Sequence, residues 1–397
     1  MKEFVDIIND KNKCSIKMLQ ALEGDCIFLQ FTYEDNVFNM LIDSGPIACW
    51  NASLKCFLDE LIEEHKKIDI LVLTHIDSDH IGGALKLFKE DRYYSLIKNI
   101  WYNGLGQIMN ISELKPDIKD EKVYRKVIEG HIPLNDCIEE QISAKQSESL
   151  SKLIDEAQVP INSICAGKAV CDVISRLKIT DDFYIDVLLP SMNRLSDLLQ
   201  VFKKELNMIN MGIKLSVTDD SKTAFEYTLL DEMDNTVISE PINSNSLNLQ
   251  DIEEWSLSTS TEDRSITNAS SIALCISFYG KKYLFPGDAV EEDLIDALAT
   301  WSYSNNQVLV FNVIKMPHHG SNKNCMNLLD IIDGEYYLIS TDGKKFDHPS
   351  KEAIAKIVTR PSKTKRTLFF NYDNAMYNLF SDSLSQEKYN YQVDLLF

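Results

Sequence analysis

LTHIDSDHIGGALKLF, residues 73–88, places two histidines and two aspartates within six positions: His75, Asp77, Asp79 and His80. The chain has only seven histidines in 397 residues, so the concentration is unusual. Three of the others also gather, with His318 and His319 adjoining in IKMPHHGSN and His348 in KKFDHPSKE. The run KIDILVLT before the turn is apolar and β-branched, which predicts a buried strand ending at Thr74, with a helix entered through Gly82 and Gly83. Side chains at the carboxyl end of a strand converge on the sheet edge, where α/β proteins build their sites. Imidazoles and carboxylates at positions 75, 77, 79 and 80 therefore suit metal ligation from a single turn, with alternate residues split between two ions. The competing explanation is structural: Asp79 or Ser78 caps the helix and the histidines are simply exposed.

Composition bounds what surrounds the turn. A length of 397 residues with 44% hydrophobic content supplies a large core, and one elaborated domain over 1–397 is expected. Nine cysteines without a CxxC pair fit a reducing compartment, which makes the cytoplasm the expected location. The N-terminal stretch lacks an apolar leader and no window approaches the ~18 apolar residues of a membrane span, so no membrane partner is expected. The formal charge of −21 argues against a polyanionic partner, but it is unevenly spread. Residues 219–263 hold twelve acids against Lys222 alone, a local balance of −11. Rich in Ser and Asn and poor in periodic apolar residues, this segment predicts an acidic surface loop, a candidate contact for a protein partner.

Elsewhere strand-like and helix-like runs alternate. CIFLQF with VFNMLID, and the pair around FYGKKY, are spaced as hairpins, so mixed sheets are expected. Helical spacing appears in SLKCFLDELIEEHKK, IGGALKLFKED, SESLSKLIDEAQ, RLSDLLQVFKKELNMIN, EEDLIDALATW and SKEAIAKIV. His65 and His131 read as ordinary surface or packing residues.

The turn, read as HxDxDHxGG, resembles the metal-binding motif of the metallo-β-lactamase superfamily, whose commoner form is HxHxDH. Asp77 in the second position resembles the variant in the hydrolase domain of ComEC-type DNA-uptake proteins. ALEGDCIFLQF and NMLIDSGP look like that family's opening hairpin, with Gly24, Asp25, Asp43 and Gly45 in matching places. TNASSIALCISFYGKKYLFPGDA resembles its Asn-x-x-Ser strand and Gly-Asp, giving Asn268, Ser271 and Asp288, while VIKMPHHGSN, with Ser321, and FDHPS resemble its later elements. The resemblance implies an α/β fold, the αββα sandwich, with residues 105–265 forming a family-atypical insertion. It implies that His75 and Asp77 hold one ion, that Asp79 and His80 hold the other, and that Asp288 bridges them. Asp43 would support the turn without touching metal. Asn268, Ser271 and Ser321 would be supporting or substrate contacts.

Replacing an imidazole with Asp77 makes the first site harder, which favours manganese over zinc. Two divalent ions suit a phosphodiester, so nucleic acid or a small phosphodiester is the expected substrate of a water-activating hydrolase. A bacterial defence or mobile-element system is the setting this suggests. A hydrolase of small esters, lactones or lactams on the same fold is the alternative; a non-catalytic binding module is disfavoured by the full ligand set. Neighbouring side chains leaving a strand point different ways, so one of His318 and His319 should ligate. His318 is expected as ligand and His319 as phosphate contact or proton donor, with His348 assisting unless it merely starts a helix before Pro349. Asp79 is expected to be essential to catalysis. Lys356, Arg360, Lys363, Lys365 and Arg366, with Lys315, are the expected source of positive charge if they line the cleft.

Overall fold

The computed structural model describes residues 2–109, 149–174, 176–205, 219–230, 248–260, 263–302, 308–346, 348–361 and 365–397. His131 and Lys363 lie outside them.

Two sheets organise the chain. The first contains β1 (Phe4–Asn9), β2 (Asn12–Met18), β3 (Ile27–Tyr33), β4 (Asn36–Ile42), β5 (Ile70–Val72) and β6 (Ile100–Trp101), paired in chain order. The second contains β7 (Leu177–Lys178), β8 (Phe183–Leu189), β9 (Ala273–Phe278), β10 (Lys281–Phe285), β11 (Leu309–Lys315), β12 (Ile332–Ile339), β13 (Arg366–Phe370) and β14 (Tyr391–Leu395), again neighbour to neighbour. Both are mixed: β1 to β4 form an antiparallel meander, whereas β10 to β14 run parallel. The expected hairpins are β3 with β4 and β9 with β10.

Side-chain alternation explains the layering. In β3, Ile27, Leu29 and Phe31 face a core shared with Leu274, Ile276 and Phe278 of β9, while Phe28 points to the other side. Both faces of the central strands are buried, which is why they read as continuous apolar runs rather than strict alternation. Helices Lys55–Glu63, Ser78–Leu87 and Met192–Glu205 cover the outer face of the first sheet, and Glu291–Ser302 and Lys351–Thr359 that of the second. The result is the αββα sandwich of the metallo-β-lactamase fold.

Two expectations need correction. The helix after β5 begins at Ser78, with Asp77 in the N-cap position, so Gly82 and Gly83 lie inside it. They are there because the helix packs directly on the loop after β4: a Cβ on Gly82 would meet Ile47 N at 2.3 Å, and one on Gly83 would meet Ser44 O at 2.2 Å. The acidic segment also contains helices, Asp219–Leu230 and Leu249–Ser256, with residues 231–247 outside the described set. Ala224, Phe225 and Ile252 are buried, and charge-rich composition hid these few anchors. Glu226, also buried, accepts the Leu150 and Ser151 amides at 2.6 and 2.9 Å, where they begin the helix Leu150–Ala157. Strands β1, β2, β7 and β14 were not anticipated. In β2, charged Lys13 and Lys17 alternate with buried Cys14, Ile16 and Met18.

Candidate metal centre

Five connections meet at the carboxyl edge of the strands. Asp43 follows β4, His75 to His80 follow β5, Asp288 follows β10, His318 and His319 follow β11, and the loop 265–271 leads into β9. His318, His319 and Gly320 occupy consecutive left-handed conformations, with φ of 45°, 53° and 86°. For the two histidines this costs about 1–3 kcal/mol each, a strain tolerated where the turn must aim side chains.

Support for the turn comes from Asp43, whose Oδ1 accepts the Thr74 amide at 2.7 Å and whose Oδ2 accepts the Thr74 hydroxyl at 2.8 Å. The His80 Nδ1–H donates to the same Oδ2 at 2.8 Å, which turns Nε2 toward the interior of the site. His319 is held in the same manner, because its Nδ1–H donates to the Ser340 carbonyl at 2.9 Å. Thr267 donates its hydroxyl to Asp77 Oδ2 at 3.2 Å, and Ser271 Oγ accepts the Asp288 amide at 3.3 Å.

The inward atoms gather tightly. Asp288 Oδ2 lies 3.3 Å from His80 Nε2, 3.5 Å from His319 Nε2 and 3.8 Å from His318 Nε2. Asp79 Oδ2 lies 3.6 Å from His319 Nε2, and His75 Nε2 lies 3.2 Å from Asp77 Oδ2. Donor atoms of His75, His80 and Asp288 fall within 4.8 Å of one another, as do those of Asp79, His80 and His319. Among the described residues, His75 Nε2, His80 Nε2, His319 Nε2, Asp77 Oδ1, Asp79 Oδ1 and Asp288 Oδ1 are buried without a hydrogen-bond partner. Buried polar atoms are normally satisfied, so three imidazole nitrogens and three carboxylate oxygens left over in one place fit a site for divalent cations.

Electrostatics point the same way. Burial works against a proton on His80, but Asp288, Asp79 and Asp43 outweigh it and raise its pKa well above the ordinary value. Burial likewise opposes a proton on His319, and Asp288 and Asp25 overcome it. Against the upward push of burial, His80 and His319 draw Asp79 down to about 2 and Asp288 well below the carboxylate range. Protons on the imidazoles thus stand in for positive charge that the carboxylates demand.

The adjacent histidines, of which His318 was the expected ligand, differ in depth. His319 is 1% exposed and joins the cluster, whereas His318, 19% exposed, stands at its rim with its ring 5.1 Å from that of His348. Ser321 is buried inside the turn, where its amide donates to the His318 carbonyl at 2.9 Å. Sequence reading missed Asp263 and Asn324. Asp263 Oδ2 accepts the Asn324 and Asn268 amides at 2.7 and 3.0 Å, and nothing in either residue's local sequence marks it. A cavity of about 420 Å³ beside Asp263 is lined by Arg194, Arg264, Lys323, Ser265 and Glu292 as well.

Among the described residues, Lys315, Lys356 and Arg366 of the expected basic lining do not face the cluster. Lys315 is buried and pairs with Asp25 Oδ2 at 2.5 Å, behind His319. Arg366 opens β13 at the amino edge, across the sheet from the cluster, and Lys356 pairs with Asp330 at 2.8 Å. The helix Lys351–Thr359 carries the chain away from His348, by about 13 Å at 1.5 Å per residue, before this run ends.

Residues 22–102 match the family model of the Metallo-beta-lactamase superfamily. That stretch includes Asp25, Asp43 and the whole turn, and the fold described above is the superfamily's sandwich. Among solved structures, the mono-zinc form of the metallo-beta-lactamase FIM-1 from Pseudomonas aeruginosa matches over 48% of this chain and 60% of its own, at 11% identity and a TM-score of 0.20. No curated protein sequence matches the chain. No helix among the described residues is long and apolar enough to cross a membrane.

Proposed function

We propose that the chain is a metal-dependent hydrolase of phosphodiesters, its ions held by His75, Asp77, Asp79, His80, Asp288 and His319. The observation that carries this reading is the convergence of partnerless nitrogen and oxygen atoms around Asp288. Two divalent ions, manganese in preference to zinc, would neutralise the non-bridging oxygens and acidify the attacking water. The preference follows from Asp77, which makes the donor set richer in hard oxygen.

Protein groups perform the remaining work. Asp43 and the Ser340 carbonyl hold His80 and His319 in the tautomer that turns Nε2 inward. His318 and His348, with rings 5.1 Å apart at the rim, would contact phosphate oxygens, and His318 Nε2 would move a proton. Because Arg366 lies at the opposite edge and Lys356 is paired with Asp330, a small phosphodiester or a nucleic-acid end is favoured over a long backbone tracked across the surface. The adjoining cavity has the dimensions of a small-ligand pocket.

Elemental analysis of purified protein should find close to two divalent ions per chain after manganese loading. The loaded protein should cleave bis-p-nitrophenyl phosphate faster than it opens nitrocefin or a lactone. Ion binding with lactam or lactone hydrolysis and no phosphodiester cleavage would transfer the assignment to the small-ester alternative.

A further inference from the structure

We infer that Asp263, the residue that closes the acidic segment, is the positioning residue that sets how the rim histidine His318 presents itself to the reaction. The inference rests on the reading of the site given above. It begins from one carboxylate with unusually many tasks. Asp263 Oδ2 accepts Nδ2–H from Asn324 at 2.7 Å and from Asn268 at 3.0 Å, and its Oδ1 accepts the Ser265 amide at 2.9 Å. A carboxylate accepts and cannot donate, so it dictates the orientation of both asparagine amides. The Ala289 carbonyl, 3.3 Å from Asn324 Nδ2, reinforces that choice.

Once Asn324 Nδ2 is committed, its Oδ1 must face the other way, and it does so at 2.9 Å from His318 Nδ1. An amide oxygen only accepts, so His318 carries its hydrogen on Nδ1 and turns the Nε2 lone pair toward Asp288, 3.8 Å away. Asn324 is fully buried and the Asp263 side chain, at the wall of the cavity, is 8% exposed, so water competes little for these bonds. On the other side of Asp263, Asn268 Oδ1 is left buried without a partner. Ser265 Oγ lies 2.9 Å from Thr267 Oγ1, which donates to Asp77. A single side chain from the segment that carries most of the local negative charge therefore reaches both the rim histidine and the first turn.

The test reads the tautomer directly. Two-bond ¹H–¹⁵N imidazole spectra of the zinc-loaded, histidine-labelled protein at pH 8 should show His318 protonated on Nδ1, with His318→Ala assigning the signal. Asp263→Ala should shift that signal toward the Nε2–H form while zinc content stays at the wild-type level. In manganese-loaded protein the same variant should lose about 10–100-fold in kcat, with KM changed by less than about threefold. Asp263→Ala combined with Asn324→Ala should shift the His318 signal no further than Asn324→Ala alone, because both act on that imidazole through one amide. Asp263→Asn keeps the volume and should move the signal in the same direction, which covers the case in which the alanine variant does not fold. An unchanged His318 signal in both Asp263 variants overturns the inference, as does an additive double mutant. A wild-type protein that cleaves no phosphodiester would sink the proposed reaction and leave the spectra to decide the tautomer.

Discussion

The two edges of the second sheet hold charge in opposite ways. At the carboxyl edge, His80, His319 and Asp288 crowd within 3.3 to 3.5 Å while His80 Nε2, His319 Nε2 and Asp288 Oδ1 have no hydrogen-bond partner. At the amino edge, Arg366 is equally buried, but its guanidinium meets Asp333 at 3.0 and 2.9 Å and the Arg360 carbonyl at 2.6 Å. The difference teaches that burial of charge does not identify a site. What marks it is the gathering of many such remainders in one place, whereas elsewhere among the described residues they are single, as at Arg360 Nη1; an unsatisfied buried polar atom carries a penalty of about 1–3 kcal/mol that a bound ligand can remove.

The largest effect expected from breaking this contrast lies at the carboxyl edge. His319→Ala should lose metal, and with it on the order of 10⁴-fold or more in rate, or over ~5 kcal/mol in barrier. His318→Ala should keep its metal. Elemental analysis of the two variants decides between them, and full occupancy in His319→Ala would restore the opposite assignment. The same edge has a pH signature. Without ions, the raised values of His80 and His319 mean that protonation stabilises the fold below the ordinary imidazole value of 6.5, an advantage lost as pH climbs through the raised values. Ligands must be deprotonated, so ion affinity has the reverse sense and rises with pH. Adding manganese to metal-free protein at pH 7 in weak buffer should therefore release protons, which a pH-stat would record.

The contrast also explains what could be read in advance. The turn was legible because four side chains able to ligate metal within six residues have few alternative uses, and the sandwich was what the resemblance carried by that turn and its later elements implied. The order of His318 and His319 was not legible, because consecutive left-handed residues do not follow strand alternation and direction could not be inferred from β11. Asp263 and Asn324 were invisible because each acts through partners distant in the chain, such as Asp263 with Asn324. Whether the basic run lines the cleft was not legible, because charge density is local information, whereas the distance from His348 to Arg366 depends on the length of an intervening helix.

At the amino edge the expected effect is on stability alone. Arg366 holds the Asp333 carboxyl below its ordinary value against the push of burial. Arg366→Ala should lower the urea midpoint, at a cost below the about 3–5 kcal/mol of a fully buried pair, because the Asp333 left behind is part-exposed. The metal content of the folded protein should stay at the wild-type level. Loss of ions from that variant while it remains folded would show that the two edges are coupled.

The smallest effect is expected at Lys356, and it bears most directly on substrate. Lys356 Nζ pairs with Asp330 Oδ1 at 2.8 Å, and the aspartate side chain is 62% exposed. A pair open to water on one side contributes about 0–1 kcal/mol, so Lys356→Ala should barely move the urea midpoint. Its consequence for catalysis follows from position: on the helix Lys351–Thr359 it sits between the rim and the amino edge, with its charge already committed. If small phosphodiesters or strand ends are the substrates, kcat/KM for bis-p-nitrophenyl phosphate and for DNA should both be unchanged. If a long backbone crosses the second sheet after all, DNA cleavage should fall and depend less steeply on salt, while the chromogenic substrate is unaffected. A severalfold loss confined to DNA would return the basic run to the binding surface, and would show that satisfied charge at the far edge can still serve recognition.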